Sequence, residues 1–220
     1  MTSTAVDSRH SRPADDEYAP YYGRYITRVE DGDIVATLGR QIGRTLSELR
    51  AVPEARGGHR YAEGKWSIRE CIGHMADTER VFAYRAMRFA RNDATALAGF
   101  DENTFVANAR FDERTLASLL DEFEAVRRAT IALFGALTPD EMLRRGTASD
   151  NPVSVRALAW ITAGHEVHHR EILRTRYLVE RSGLYPSMRG VSCSRTAACL
   201  ARSRRLSIST RNEKNIAKYV

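Results

Sequence analysis

The sequence predicts an all-α fold, an antiparallel four-helix bundle, on three observations. Four long segments repeat apolar residues at three- and four-residue spacing, and each is bracketed by helix start or stop signals. No segment sustains the two-residue alternation of a half-buried strand, so sheet is not expected. Helices with one apolar face each can bury those faces only against one another, and four of them close most economically as a bundle. A chain of 220 residues with 43% hydrophobic content is long enough to supply such a core.

Residues 1–17 read as a flexible lead, followed by an aromatic-rich approach, Tyr18 to Tyr25, able to pack on the body. The first helix lies within Asp31 to Val52, where Ile34, Val35, Leu38, Ile42, Leu46 and Leu49 recur behind an Asp cap and ahead of Pro53. Residues 53–66 have no period and two glycine breaks, and form a loop. Ser67 and Glu70 then make a capping box, each side chain satisfying an unpaired amide of the first turn. This second helix runs to about Arg91, with a main stripe of Ile68, Ile72, Met75, Phe82, Ala86 and Phe89. A second, mixed stripe holds Cys71, His74, Thr78, Val81 and Arg85. Residues 92–111 are a long connection with at most one short helical turn. Asp112 opens the third helix, whose stripe includes Leu116, Leu119, Leu120, Phe123, Val126 and Thr130. Thr138-Pro139-Asp140-Glu141 starts a short helix, because a cap, a first-turn proline and a glutamate at the third position coincide. Gly146 to Pro152 reads as loop, and Ser154 caps a fourth long helix that continues to about Arg181. The bundle thus spans residues 18–181, and residues 182–220 form a basic tail without apolar period, read as disordered.

The net charge of +6 belongs to that tail. Pro186 to Val220 carries eight Lys or Arg and one acidic residue, a net of +7, so residues 1–185 stand at −1. A nearly neutral body argues against nucleic acid as the partner. No run of about 18 apolar residues exists to span a membrane. Met1 to Asp16 has no apolar stretch of the secretory kind. Cys71, Cys193 and Cys199 form no even disulfide framework, and free thiols suit a reducing compartment, so a cytoplasmic location is expected.

The chemistry concentrates in Gly164-His165-Glu166-Val167-His168-His169. Four residues apart on a helix, His165 and His169 stand about 40° from each other on one face. Leu158, Ile161, Thr162, His168 and Ile172 share that face to within about 60°, so the rings point into the core. Imidazoles on an apolar stripe need hydrogen-bond partners or a cation to offset their desolvation. Core histidines satisfied by carbonyls or carboxylates, and ligands of a metal, are both open readings.

A catalytic site of the zinc type commonly takes three protein ligands and keeps an open position. Of the remaining histidines, His10 lies in the lead, His59 in a loop, and His168 at the wrong angle to share a cation with His169. His74 is inside a long core helix but about 110° round from its densest apolar stripe. His59 and Glu166 stay open as alternatives. Asp77, Thr78 and Arg85 make a candidate polar wall. Cys71, one turn before His74, is a small buried hydrophobe or a ligand. Trp66 and Trp160 are packing residues. The segment also satisfies H-E-x-x-H, the zinc peptidase helix with Glu166 as general base. However, no Gly and His follow at metzincin spacing, no sheet precedes the helix, and Glu166 points about 100° away from His165.

Two blocks then carry a resemblance: Trp66-Ser-Ile-Arg-Glu-Cys-Ile-Gly-His-Met-Ala-Asp-Thr-Glu-Arg-Val-Phe-Ala-Tyr-Arg, and Ser154-Val-Arg-Ala-Leu-Ala-Trp-Ile-Thr-Ala-Gly-His-Glu-Val-His-His. Together and in this order they resemble the DinB/YfiT-like family of metalloenzymes, over roughly residues 18–180. The resemblance implies a four-helix bundle holding a divalent metal ion through three histidines, one from the second helix and two from the last. Carried onto this sequence, these are His74, His165 and His169, with Glu166 and His168 as bystanders. Zinc or nickel is the implied metal, with iron or manganese as alternatives. A low-molecular-weight thiol such as mycothiol, bacillithiol or glutathione is the implied cosubstrate. The expectation is a metal-dependent thiol S-transferase or related hydrolase acting on a small molecule, either as monomer or homodimer. A non-catalytic metal-binding or stress-response bundle is the alternative.

Overall fold

A computed structural model describes residues 11–179 of the chain. His10, Cys193, Cys199 and the basic segment 182–220 lie outside the described residues. Apart from one short turn near the start, each α-helix begins where a side chain satisfies its orphan amides. Asp33 accepts from the amides of Val35 and Ala36 and starts α2 (Ile34–Leu49), which follows the single turn α1 (Gly23–Ile26). The Ser67/Glu70 capping box opens α3 (Ile68–Ala90). Asp101 caps α4 (Glu102–Asn108). Thr115, not Asp112, caps α5 (Leu116–Gly135). Asp112 is engaged elsewhere, accepting from Ser67 Oγ at 2.6 Å and pairing with Arg60 at 2.7 Å, so it cannot serve the helix. Thr138 and Glu141 box the start of α6 (Pro139–Leu143), and Ser154 caps α7 (Val155–Ile172). Beyond Ile172 the chain widens into a π-helical turn, Leu173–Tyr177.

Two short strands interrupt the all-helical pattern. β1 (Arg145–Ala148) pairs antiparallel with β2 (Asn151–Ser154), Arg145 opposite Ser154 and Ala148 opposite Asn151. The expected loop from Gly146 to Pro152 is therefore a hairpin. Its two turn residues, Ser149 and Asp150, both take positive φ, 50° and 62°. That is the twist a two-residue hairpin needs, reached here without the Asn-Gly or Asp-Gly signal that would announce it.

The bundle is a ring in which α3 packs on α5 and α7, and α2 packs on the same two helices. Consecutive α2 and α3 thus face each other across the diagonal. Two apolar clusters fill opposite ends of the ring. One holds Ile34 and Leu38 of α2, Phe82 and Phe89 of α3, Phe134 of α5 and Trp160 of α7. The other holds Leu46, Ile72 and Phe123 of those first three helices, with Leu173 beyond α7. The order of these residues along each helix sets its direction: α2 and α7 run one way, α3 and α5 the other. The expected four-helix bundle is present, with each helix having one antiparallel and one parallel neighbour. Because α3 ends where α5 does, the connection between them must return along the bundle. It does so from Leu97, against the first cluster, to Val106 and Phe111 in the second.

Between the two clusters lies a buried polar layer: Thr45, His74, Thr78, Glu79, Arg127, Thr130, Thr162, His165, Glu166 and His169. Arg127, where an apolar residue of the α5 stripe is expected, is fully buried, and Val126 is half-exposed beside it. Its guanidinium donates to both carboxylate oxygens of Glu79 at 2.7 Å. It also donates to Glu166 at 2.5 Å and to the Leu38 carbonyl at 3.1 Å. Pairing offsets the desolvation of a charge that could not otherwise sit there.

Residues 11–17, expected within a flexible lead, pack on the bundle. Arg12 donates to the carbonyls of Ile26 and Val29 and stacks 4.8 Å from the Trp160 ring. Buried Glu17 accepts from Ser154 Oγ at 2.7 Å and pairs with Arg156. This docking brings α1 onto α7, where Gly164 admits it: a Cβ there would stand 2.1 Å from the Tyr25 carbonyl oxygen.

Removing Arg127 would leave Glu79 and Glu166 buried without a countercharge. Arg127→Ala is expected to cost about 3–5 kcal/mol in urea unfolding; a loss below about 1 kcal/mol would show that this pairing is not structural.

Candidate metal centre

His165 and His169, one turn apart on α7, project into the polar layer, as the helical spacing requires. His74 of α3 meets them there. The 110° offset of His74 from the main stripe is accommodated by the ring arrangement: α3 packs on both α5 and α7, and His74 stands on the side that meets α7. His74 Nε2 lies 3.1 Å from His165 Nε2. One nitrogen from each of the three rings falls within 4.8 Å of the others. Relative exposure is 2%, 4% and 9% for His74, His165 and His169, so the cluster is desolvated.

Two of the outer ring nitrogens, those of His74 and His169, have partners. Thr78 Oγ1 is 3.4 Å from His74 Nδ1, and Cys71 Sγ is 3.6 Å from His169 Nδ1. Such contacts orient the rings and leave Nε2 of each turned the other way. Trp66 covers the His74 ring at 4.7 Å between centroids, and Tyr25 meets the rings of His165 and His168 edge-on at 5.5 and 5.4 Å. Burial drives all three imidazoles toward the neutral form. The His74 value is pushed down to about 3, by burial and then by His168. Those of His165 and His169 lie well below the ordinary range, by burial first and then by the neighbouring rings. Three neutral imidazoles converging in a desolvated layer are a donor set for a borderline divalent ion such as zinc or nickel.

The other sequence candidates separate. Glu166 accepts from Thr45 Oγ1 and Arg127 on the far side of α7, so it is not placed as the base of an H-E-x-x-H helix. His59 is exposed in its loop, 6.2 Å from the Tyr177 ring, and takes no part in the cluster. The expected polar wall does not form as a unit. Asp77 pairs with Arg80 at 3.1 Å. Buried Arg85 donates to the Ala98 carbonyl and Ser149 Oγ, both at 3.0 Å, tying down the returning connection and the hairpin turn. Only Thr78 touches the histidines. Cys71 is buried, and its thiol is pushed up to about 12 by burial, which makes it a neutral neighbour of His169.

Two features escaped the sequence. Glu102, the first residue of α4, brings a carboxylate to 4.0 Å from His74 Nε2, with 11% of its side chain exposed. Burial pushes it up to about 7, against the pull of Arg24. Its signal was only the Asp101 cap before it. A cleft of about 450 Å³ opens beside the cluster, lined by His169, His168, Glu102, Arg24, Arg28 and Arg176 among others. His168, expected as a bystander, forms part of this cleft. Its value is pushed down to about 4 by burial and by the positive charges of Arg28 and Arg24.

A family model described as the DinB superfamily matches residues 37–173, a stretch that takes in the four bundle helices, all but the first turn of α2, and contains all three histidines. The chain belongs to the DinB superfamily. No curated protein matches it by sequence. Among solved structures it is similar to YfiT from Bacillus subtilis, described as "a probable metal-dependent hydrolase with an unusual four-helix bundle topology". The TM-score is 0.59 at 14% identity, covering 77% of this chain and 97% of that one. It is also similar to a mycothiol-dependent maleylpyruvate isomerase, with TM-score 0.55 at 14% identity over 66% of this chain and 61% of that one. At such identity the likeness is one of fold. Among the described residues of this DinB chain, no helix is long and apolar enough to cross a membrane.

The histidines give the metal-free DinB chain a pH signature. Their folded values lie below the ordinary 6.5, so between these limits the unfolded chain binds protons that the folded chain does not. Stability is therefore full above about pH 6.5 and falls as pH drops, by about 1.4 kcal/mol per unit for each histidine. Urea titrations of metal-free protein from pH 8 to 5 should show this decline; equal stability throughout would contradict the desolvated, neutral cluster.

Proposed function

We propose that His74, His165 and His169 hold one divalent metal ion, zinc or nickel before iron or manganese, and that the site acts on a small molecule in the adjoining cleft. The observation that carries this reading is the convergence of three buried, neutral imidazoles from α3 and α7 beside an open cleft. When bound, such an ion supplies a Lewis-acidic position that stabilises a thiolate or makes water more acidic. The chain's own groups supply the rest. Thr78 and Cys71 hold the imidazoles of His74 and His169 in orientation. The largely buried Glu102 carboxylate, 4.0 Å from His74 Nε2, takes the proton of a thiol or water entering from the cleft. Trp66 and Tyr25 keep bulk water from the ring faces.

The reaction proposed is transfer to or from a low-molecular-weight thiol, or the related hydrolysis. It draws on the two neighbours, one described as a metal-dependent hydrolase and the other as mycothiol-dependent. Metal analysis of the purified full chain should find about one equivalent per chain, and none in the His74→Ala/His165→Ala/His169→Ala variant; metal retained by that variant would overturn the assignment. Electrophiles screened with mycothiol, bacillithiol and glutathione then separate the chemistries. Thiol-dependent turnover supports the transferase, and turnover without thiol the hydrolase. No turnover under either condition, in metal-loaded protein, leaves a metal-binding bundle instead of an enzyme.

A further inference from the structure

The cleft beside His169 carries more positive than negative charge. Its lining includes Arg24, Arg28, Lys65 and Arg176 against two carboxylates, Glu102 and Glu171. Glu171 is already paired with Arg28 at 2.6 Å, and Glu102 is turned toward His74. The remaining arginines are mounted in a particular way. Arg24, on α1, has its guanidinium carbon 3.7 Å from the centre of the Tyr21 ring and donates through one terminal nitrogen to the hydroxyls of Tyr21 and Tyr25. Arg176, on the π-helical turn after α7, sits 5.7 Å from the Tyr61 ring. A guanidinium braced against an aromatic ring is held in place, and the N–H groups that the tyrosines do not take can serve another partner. Such a fork matches the two oxygens of a carboxylate or phosphate, at little further cost in side-chain order. A concave site with one sign of charge in excess also concentrates ligands of the opposite sign. Its volume of about 450 Å³ suits a small molecule and not a polymer.

We infer that the cleft recognises the oxyanion group, carboxylate or phosphate, of a small-molecule ligand through Arg24 and Arg176, leaving the ligand's other end toward His169 and the metal position. The orientation toward a metal rests on the reading proposed above; the anion recognition itself does not.

The test uses full-length protein loaded with cobalt(II), whose uptake is measured first. Succinate, inorganic phosphate and the neutral isostere succinamide are then titrated in by calorimetry. Succinate or phosphate should bind, more weakly as salt is added, and succinamide should not. The tighter of the two anions assigns the ligand group. Losing one charge-assisted contact should weaken that binding about tenfold or more in Arg24→Ala and in Arg176→Ala, with cobalt content unchanged. Absence of binding by both anions, equal binding of succinamide, or unaltered affinity in both variants would overturn the inference. Should a variant fail to fold, the succinamide comparison and the salt dependence in the unaltered protein decide. Anion binding without cobalt uptake would sink the metal assignment alone; cobalt uptake without anion binding would sink this inference alone.

Discussion

The arrangement depends on one buried guanidinium. Arg127 stands in the middle of α5, donating to Glu79 on α3 and Glu166 on α7. These are the two helices that carry the histidines, and Glu166 is the immediate neighbour of His165. A buried ion pair is worth little as net stability, because desolvation consumes most of the Coulomb gain. What it contributes here is register. Rotating α7 or sliding α3 would part a buried carboxylate from its countercharge, so these contacts favour the setting in which the three imidazoles meet.

The polar layer also explains the chemistry of its members. Apolar clusters above and below withdraw water from the histidines, which lowers their proton affinity and leaves lone pairs for a cation. The same isolation pushes the Glu102 carboxyl and the Cys71 thiol toward their neutral forms. The N-terminal segment completes the site from outside. Docked through Arg12 and Glu17, it crosses α7 at Gly164 and delivers Tyr25 to the rings and Arg24 to the cleft mouth.

Much of this was legible in the residues and some was not, for physical reasons. His165 and His169 could be placed on one inward face because helical periodicity is local. The position of His74 inside a long core helix marks it as a candidate, but its angle on the helical wheel makes sense only with two neighbours, α5 and α7, packed on α3. Arg127 falls on an apolar stripe to which periodicity assigns Val126, since partners from two other helices are invisible to a single-helix pattern. Glu102 lay in a connection without period. Its position follows from helix direction, which obliges residues 91–115 to travel back along the bundle past the histidines. The Ser149-Asp150 hairpin lacked its usual glycine, and the cap expected at Asp112 was drawn away by Ser67 and Arg60.

Whether these three imidazoles share one ion is read from X-ray absorption at the metal edge of the zinc- or cobalt-loaded protein. The expectation is three imidazole nitrogens at about 2.1 Å, with the remaining scatterers light atoms. A sulfur shell at about 2.3 Å, which would draw Cys71 into the coordination, or fewer than three imidazoles, would contradict it.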